Sequence, residues 1–149
     1  MCRALSQVIT RGRTEPYWLD GENSHAAIRK HYKISDIGPD YPSLPIEWIP
    51  IGCLTDEKAW EFTVDINDAL PGWFTERRED YERESRLVLE KIVREIRTTG
   101  KYGGSLDLCE TKVENLGNLT SVGGSLYLRE TKITREMAMR VVNDGGVII

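Results

Sequence analysis

Apolar residues follow three rhythms along this chain. From Lys58 to Asp65 they alternate, with Trp60, Phe62 and Val64 on one side and Glu61 and Thr63 on the other. That is the pattern of a strand with one buried face. From Thr75 onward the period changes, and Val88, Leu89, Ile92, Val93 and Ile96 recur at three and four residues. The stripe predicts a helix over 75–98, with Glu76, Glu79 and Asp80 in its first turn, Arg94 and Arg97 near its end and Gly100 as terminator. Its first half holds only Tyr81 as a large apolar residue and is laced with the pairs Glu79–Arg83 and Glu82–Arg86, which predicts a solvated segment.

Beyond Gly100 the rhythm is that of a repeat. Residues 103–113 (GGSLDLCETKV) and 123–133 (GGSLYLRETKI) match at a spacing of 20 and agree at eight of eleven positions. Each has the form L-x-L-x-x-T-x-V/I, which resembles the leucine-rich repeat L-x-L-x-x-N-x-L with threonine in the asparagine position. Side chains alternate along a strand, so Leu106, Leu108, Leu126 and Leu128 are expected inside. Ser105, Asp107, Cys109, Ser125, Tyr127 and Arg129 are expected on the outer face, with Asp107 beside Tyr127. Thr111 and Thr131 should align between turns about 4.8 Å apart, and the paired glycines should supply positive φ before each strand. Leu116, Leu119 and Val122, at every third position, suit a tight return. Two such turns do not stand alone, so the helix over 75–98 is expected to cap one end. A short helix from Arg135 to Asn143, capped by Thr134 and ended by Gly145, should cover the other with Met137, Val141 and Val142.

The N-terminal part reads as two short strands, 4–10 and 15–20, joined around Gly12. A helix from His25 to Tyr32 follows, with Ser24 as cap and Ala27, Ile28 and Tyr32 inward. Pro39, Pro42, Pro45 and Pro50 break helix, which leaves Ile46–Ile49 as an extended edge segment. The fold class that follows is α+β: a small antiparallel sheet with a packed helix, a long amphipathic helix, then a two-turn leucine-rich-like β solenoid capped by a short helix. The corresponding units are 1–74, 75–98 and 99–149, together of a size for one compact domain.

Charge and cysteine usage narrow the function classes. Residues 1–33 carry six basic and three acidic side chains, whereas residues 34–74 carry one basic and eight acidic ones. The acidic middle speaks against a broad nucleic-acid interface, which needs phosphate neutralisation; Arg11, Arg13, Arg29, Lys30 and Lys33 form only a local patch. Cys2, Cys53 and Cys109 are odd in number and widely spaced, and no long apolar stretch or signal peptide is read, so a reducing, cytoplasmic setting without a membrane span is expected.

The chain carries no catalytic constellation, cofactor motif or metal-ligand spacing. His25 and His31 are six residues apart, which does not place two imidazoles on one metal, and both are expected at the surface. Cys109 beside Arg129 is placed for a lowered thiol pKa but lacks a partner base. Asp65 and Asp68 end a strand and could support a small metal-dependent hydrolase or transferase, although Asp68 before Leu70-Pro71-Gly72 also suits a turn. Neither glycine pair is followed by the lysine of a phosphate loop.

The W-x-F-x-V-D strand (60–65), the L-P-x-W segment (70–73), the charged helix and the G-G-S-L-x-L-x-x-T-K-I/V repeats together resemble uncharacterised accessory proteins of tailed bacteriophages and prophages. The resemblance implies a protein in the cytoplasm of an infected bacterium that binds and modulates a host or defence protein. A non-enzymatic binding role would use Asp107, Tyr127 and Arg129, with Ser105, Ser125, Cys109 and a helix ridge of Arg77, Tyr81 and Arg86 around them. A self-assembling structural component is a further alternative, because a two-turn coil presents unpaired strand edges.

Overall fold

The computed structural model describes residues 4–143 and 146–148. It is mixed α+β, with a small antiparallel sheet and a long helix. Strands β1 (Leu5–Thr10), β2 (Arg13–Tyr17), β3 (Ser43–Pro50) and β4 (Trp60–Val64) form a four-stranded sheet in the order β2-β1-β3-β4. All its pairs are antiparallel. Gly12, at φ 84°, closes the first hairpin. The second strand ends at Tyr17 rather than at residue 20, because Leu19 and Glu22 bridge across a turn in which Gly21 has φ 74°.

The prolines around β3 suggested an edge strand, yet β3 is interior. Both N–H and C=O of an antiparallel residue point to the same neighbour, and the carbonyl of Pro45 accepts from Asp65 N at 2.8 Å. The missing N–H of Pro45 therefore faces the point where β4 has already ended. Pro50 pairs with Trp60 at the opposite limit of the same ladder. Neither proline removes a hydrogen bond from the middle of the sheet.

Alternation sends the sheet's side chains to two helices. Helix α1 (His25–Tyr32) begins as expected, with Ser24 Oγ accepting from Ala27 N at 3.2 Å. It lies on the face that carries Ser6, Val8 and Ser43, and Arg29 Nε donates to Ser43 Oγ at 3.1 Å. Ile28 is buried, but Tyr32 points outward to Trp18 O, a correction to its inward assignment. The opposite face of the sheet meets α3 (Arg78–Thr99). Short helix α2 (Gly72–Thr75) precedes α3, and the chain is non-helical at Arg77, so the long helix starts three residues later than the charge pattern suggested. Gly100 ends it in the left-handed region, its N–H bonded to Ile96 O at 2.6 Å.

The buried stripe of α3 runs its whole length through Tyr81, Ser85, Leu89, Val93 and Ile96. Its first half is therefore not simply solvated. Tyr81 sits with Trp73, Phe74, Ile9, Leu44 and Ile46 in one cluster, and its hydroxyl donates to Thr10 O at 3.0 Å. Ser85 is fully buried, donates to Gln7 Oε1 and accepts from Trp48 Nε1, each at 2.7 Å. Arg83 pairs with Asp80 three residues back, not with Glu79.

Past α3 the backbone forms two three-stranded parallel ladders. Strands β5 (Lys101–Tyr102), β7 (Ser121–Val122) and β9 (Val142–Asn143) make one; β6 (Leu106–Asp107), β8 (Leu126–Tyr127) and β10 (Val147–Ile148) make the other. Leu106, Leu108, Val113, Leu116, Leu119, Val122, Leu126, Leu128 and Ile133 join one core cluster with Leu89, Val93 and Ile96 of α3 and with Leu5, Trp48 and Trp60 of the sheet. Each such side chain contributes about 1.5–3 kcal/mol through burial. Thr111 and Thr131 bond Leu108 O and Leu128 O, each at 2.7 Å.

Within the glycine pairs, Gly104, Gly123 and Gly124 serve close approach, and none of the four has positive φ. A Cβ on Gly104 would lie 2.7 Å from the Gly21 carbonyl carbon, and one on Gly123 would lie 2.5 Å from Gly103 O. The left-handed residues of the repeats are Glu110 and Glu130. The terminal helix, α4, is a single turn, Arg135–Ala138, started by Thr134 Oγ1 accepting from Met137 N. Val142 is exposed and continues as a strand instead of covering the end; the expected terminator, Gly145, lies outside the described residues. Among the described residues no helix is long and apolar enough to cross a membrane.

Candidate functional site

Backbone pairing sets the repeat face. Leu106 pairs with Leu126 and Asp107 with Tyr127. The bonds Leu106 N to Ser125 O, Leu108 N to Tyr127 O and Glu110 N to Arg129 O, each 2.9 Å, carry the register through the full motif. Asp107 and Tyr127 are neighbours, as the repeat predicted. Ser105 Oγ accepts from Ser125 N at 3.0 Å, so the two serines tie the two repeat segments together.

Asp107 is not displayed outward. It is 6% exposed, and its Oδ1 accepts from Cys109 N at 3.0 Å. The strand is only two residues long, and the carboxylate is used to turn the backbone that leaves it. Tyr127 and Ser125 are half-buried, whereas Ser105 and Arg129 are exposed. Cys109 is half-buried; burial, and then the hydrogen bond with Asp107, push its thiol pKa up. The nearby Arg129 acts in the other direction but does not prevail, so the expected lowering does not occur and the thiol is not activated as a nucleophile.

A groove of about 420 Å³ opens where this face meets the start of α1. Ser105, Asp107 and Tyr127 form one wall, and Glu22, Asn23, Ser24 and Ala26 form the other. Asn23 fixes the junction: its Nδ2 donates to Ser105 O at 2.9 Å, and its Oδ1 accepts from Tyr102 Oη at 2.9 Å. Glu22 Oε1 accepts from Ser24 N at 3.1 Å. The rim is thus built from side chains already held by backbone groups, which limits the entropy lost when a ligand orders it. Glu22 and Asp107 give the groove an acidic character beside the aromatic ring of Tyr127.

The second wall was not read from the sequence. Gly21-Glu22-Asn23-Ser24 looks like a loop with a helix cap, and its position against the repeats is a tertiary fact. The helix ridge does not join the groove. Tyr81 is 1% exposed and belongs to the core, which removes it as a surface contact. Arg77 is exposed and pairs with Asp80 at 3.4 Å, and Arg86 lies 4.7 Å from the centre of the Trp48 ring. Arg86 thus packs over a sheet residue, whereas Arg77 pairs within the first turn of α3.

The carboxylates at the end of β4 have different surroundings. Asp68 accepts a hydrogen bond from the Tyr41 hydroxyl, which pushes the Tyr41 pKa up. Asp65 instead lies with His25 and Glu47, and the ligand atoms of these three lie within 4.8 Å of one another. His25, expected at the surface, is 5% exposed; its Nε2 bonds Ile46 O at 2.9 Å, and burial lowers its pKa. The bond to β3 draws the first residue of α1 onto the sheet. In comparisons with protein-family models, curated proteins and solved structures, none matches this chain.

Proposed function

We propose that the chain is a non-enzymatic binding protein that receives a projecting segment of a partner protein in the groove between the repeat face and the start of α1. The two parallel ladders are its leucine-rich-like solenoid, and their role is to hold Tyr127 and Arg129 at a fixed spacing. The observation that carries this reading is the groove itself. An aromatic ring stands half-buried in a walled cleft, two positions from an exposed arginine, on backbone paired on both sides. Tyrosine and arginine are the residue types that most often dominate binding energy. Glu22 and Asp107 favour a segment that carries a basic or hydrogen-bond-donating group.

The resemblance to phage accessory proteins supplies the partner class, a host or defence protein whose site is masked when this surface is occupied. The test compares the intact protein with a Tyr127→Ala, Arg129→Ala double variant in pull-downs from bacterial lysate. A partner retained by the first and lost by the second, with thermal unfolding unchanged, supports the proposal. Equal retention by both removes this surface from the function.

A further inference from the structure

We propose that His25, Glu47 and Asp65 form a binding site for a divalent transition-metal ion of the zinc class, on the α1 face of the four-stranded sheet. The three come from separate elements: the first residue of α1, the interior strand β3 and the residue just past β4. Alternation places Glu47 on the face opposite Trp48, which is the face α1 covers. One ring nitrogen and two carboxylate oxygens already lie within 4.8 Å of one another. Ligands on a tetrahedral ion with bonds of about 2.0–2.1 Å are about 3.3 Å apart. Small side-chain rotations close that difference, and Asp65, exposed at a strand end, has room to make them.

Two further features point to an ion. A carbonyl oxygen only accepts, so the 2.9 Å contact with Ile46 O places the ring proton of His25 on Nε2 and makes Nδ1 the basic nitrogen. A histidine that donates its other N–H to a backbone carbonyl is the usual outer-shell arrangement of a metal ligand. Independently, Ser6 stands directly across from Glu47 in the β1–β3 register, on the same face. It is 4% exposed, and its Oγ has no hydrogen-bond partner among the described residues. A buried hydroxyl left unsatisfied is costly, and a water on the ion's remaining coordination position would bond it.

The donor set selects the metal. Magnesium and calcium favour sites made of oxygen alone, whereas an imidazole with carboxylates suits zinc and its first-row neighbours. The two carboxylates offset the charge of a divalent ion. Arg29, a basic residue of α1 whose charge acts on His25, has its Nε on Ser43 Oγ.

The test titrates EDTA-stripped protein with Zn²⁺ by calorimetry and with Co²⁺ by visible absorption. Expected are one saturable equivalent, a higher melting temperature with Zn²⁺, and Co²⁺ d–d bands without thiolate charge transfer. Asp65→Asn should weaken Zn²⁺ at least tenfold while melting in EDTA as the parent does, and Asp68→Asn should leave affinity unchanged. No saturable binding, undiminished binding in Asp65→Asn, or a cobalt–thiolate band would overturn the site. Partner capture by Asp65→Asn should persist, which separates this proposal from the groove.

Discussion

Replacing Ser85 by alanine should cost about 2–5 kcal/mol, although the change removes one oxygen from the middle of a helix. Ser85 is fully buried between α3 and the sheet, donates to Gln7 Oε1 and accepts from Trp48 Nε1. Gln7 and Trp48 are themselves buried, and Gln7 Nε2 also reaches Ser85 O at 3.3 Å. The alanine strands one acceptor and one donor, each costing about 1–3 kcal/mol. The better helix propensity of alanine returns about 0.5 kcal/mol. At about 3 °C per kcal/mol for a chain of this size, melting should fall by about 6–15 °C. Urea denaturation followed by tryptophan fluorescence measures the change, with Trp48 at the point of damage. Adding Gln7→Leu removes the stranded acceptor and should recover part of the loss. A loss below about 1 kcal/mol, or a double variant weaker than the sum of the two single changes, would refute the account of Ser85 as the shared partner of both groups.

The glycine pair offers a contrast within two adjacent residues. Gly104→Ala drives a Cβ into the Gly21 backbone and should destabilise strongly, whereas a Cβ on Gly103 meets nothing within 4 Å, so Gly103→Ala should melt within a few degrees of the parent. Leu126→Ala, at a fully buried position of the ladder's middle strand, should cost about 2–5 kcal/mol in denaturant unfolding. The depressed pKa of His25 predicts a pH dependence without metal: the unfolded chain takes up a proton the folded chain resists, so stability is complete above about 6.5 and lost as pH falls from there toward the folded value. In His25→Gln, which keeps an N–H donor for the Ile46 carbonyl, melting temperature should depend less on pH between 7.5 and 5.5.

Elements defined by local periodicity were the legible ones. The alternation of Trp60, Phe62 and Val64, the stripe of Leu89, Val93 and Ile96, the Ser24 and Thr134 caps and the Gly100 stop all follow from side-chain direction and orphan backbone groups within a few residues. The repeat register was legible because two similar segments can stack in parallel with like residues opposite. What failed depended on distant chain. The third rung of each ladder lacks the repeat sequence, and its signal was only Gly145-Gly146 before Val147-Ile148, an echo of the glycine pairs ahead of Leu106 and Leu126. Tyr81 and His25 are buried by strands far from them in sequence. Half of the groove was readable in Ser105, Asp107 and Tyr127; the other half was not, since nothing local in Glu22–Ala26 says what it will face.

The hydrogen bond between Ser85 and Gln7 closes a loop of 78 residues, and the one between Asn23 and Ser105 a loop of 82. Ala4 N reaches further still, to Asp107 O at 2.6 Å on the open edge of the first rung. At a synthesis rate of about 5–20 residues per second, the first strand leaves the ribosome roughly 4–16 s before the helix residue it must bond does. Its apolar face, Leu5 and Ile9, waits unpaired for that interval, a natural window for a chaperone. Truncated translation products ending before α3 should therefore aggregate rather than persist as a folded N-terminal fragment.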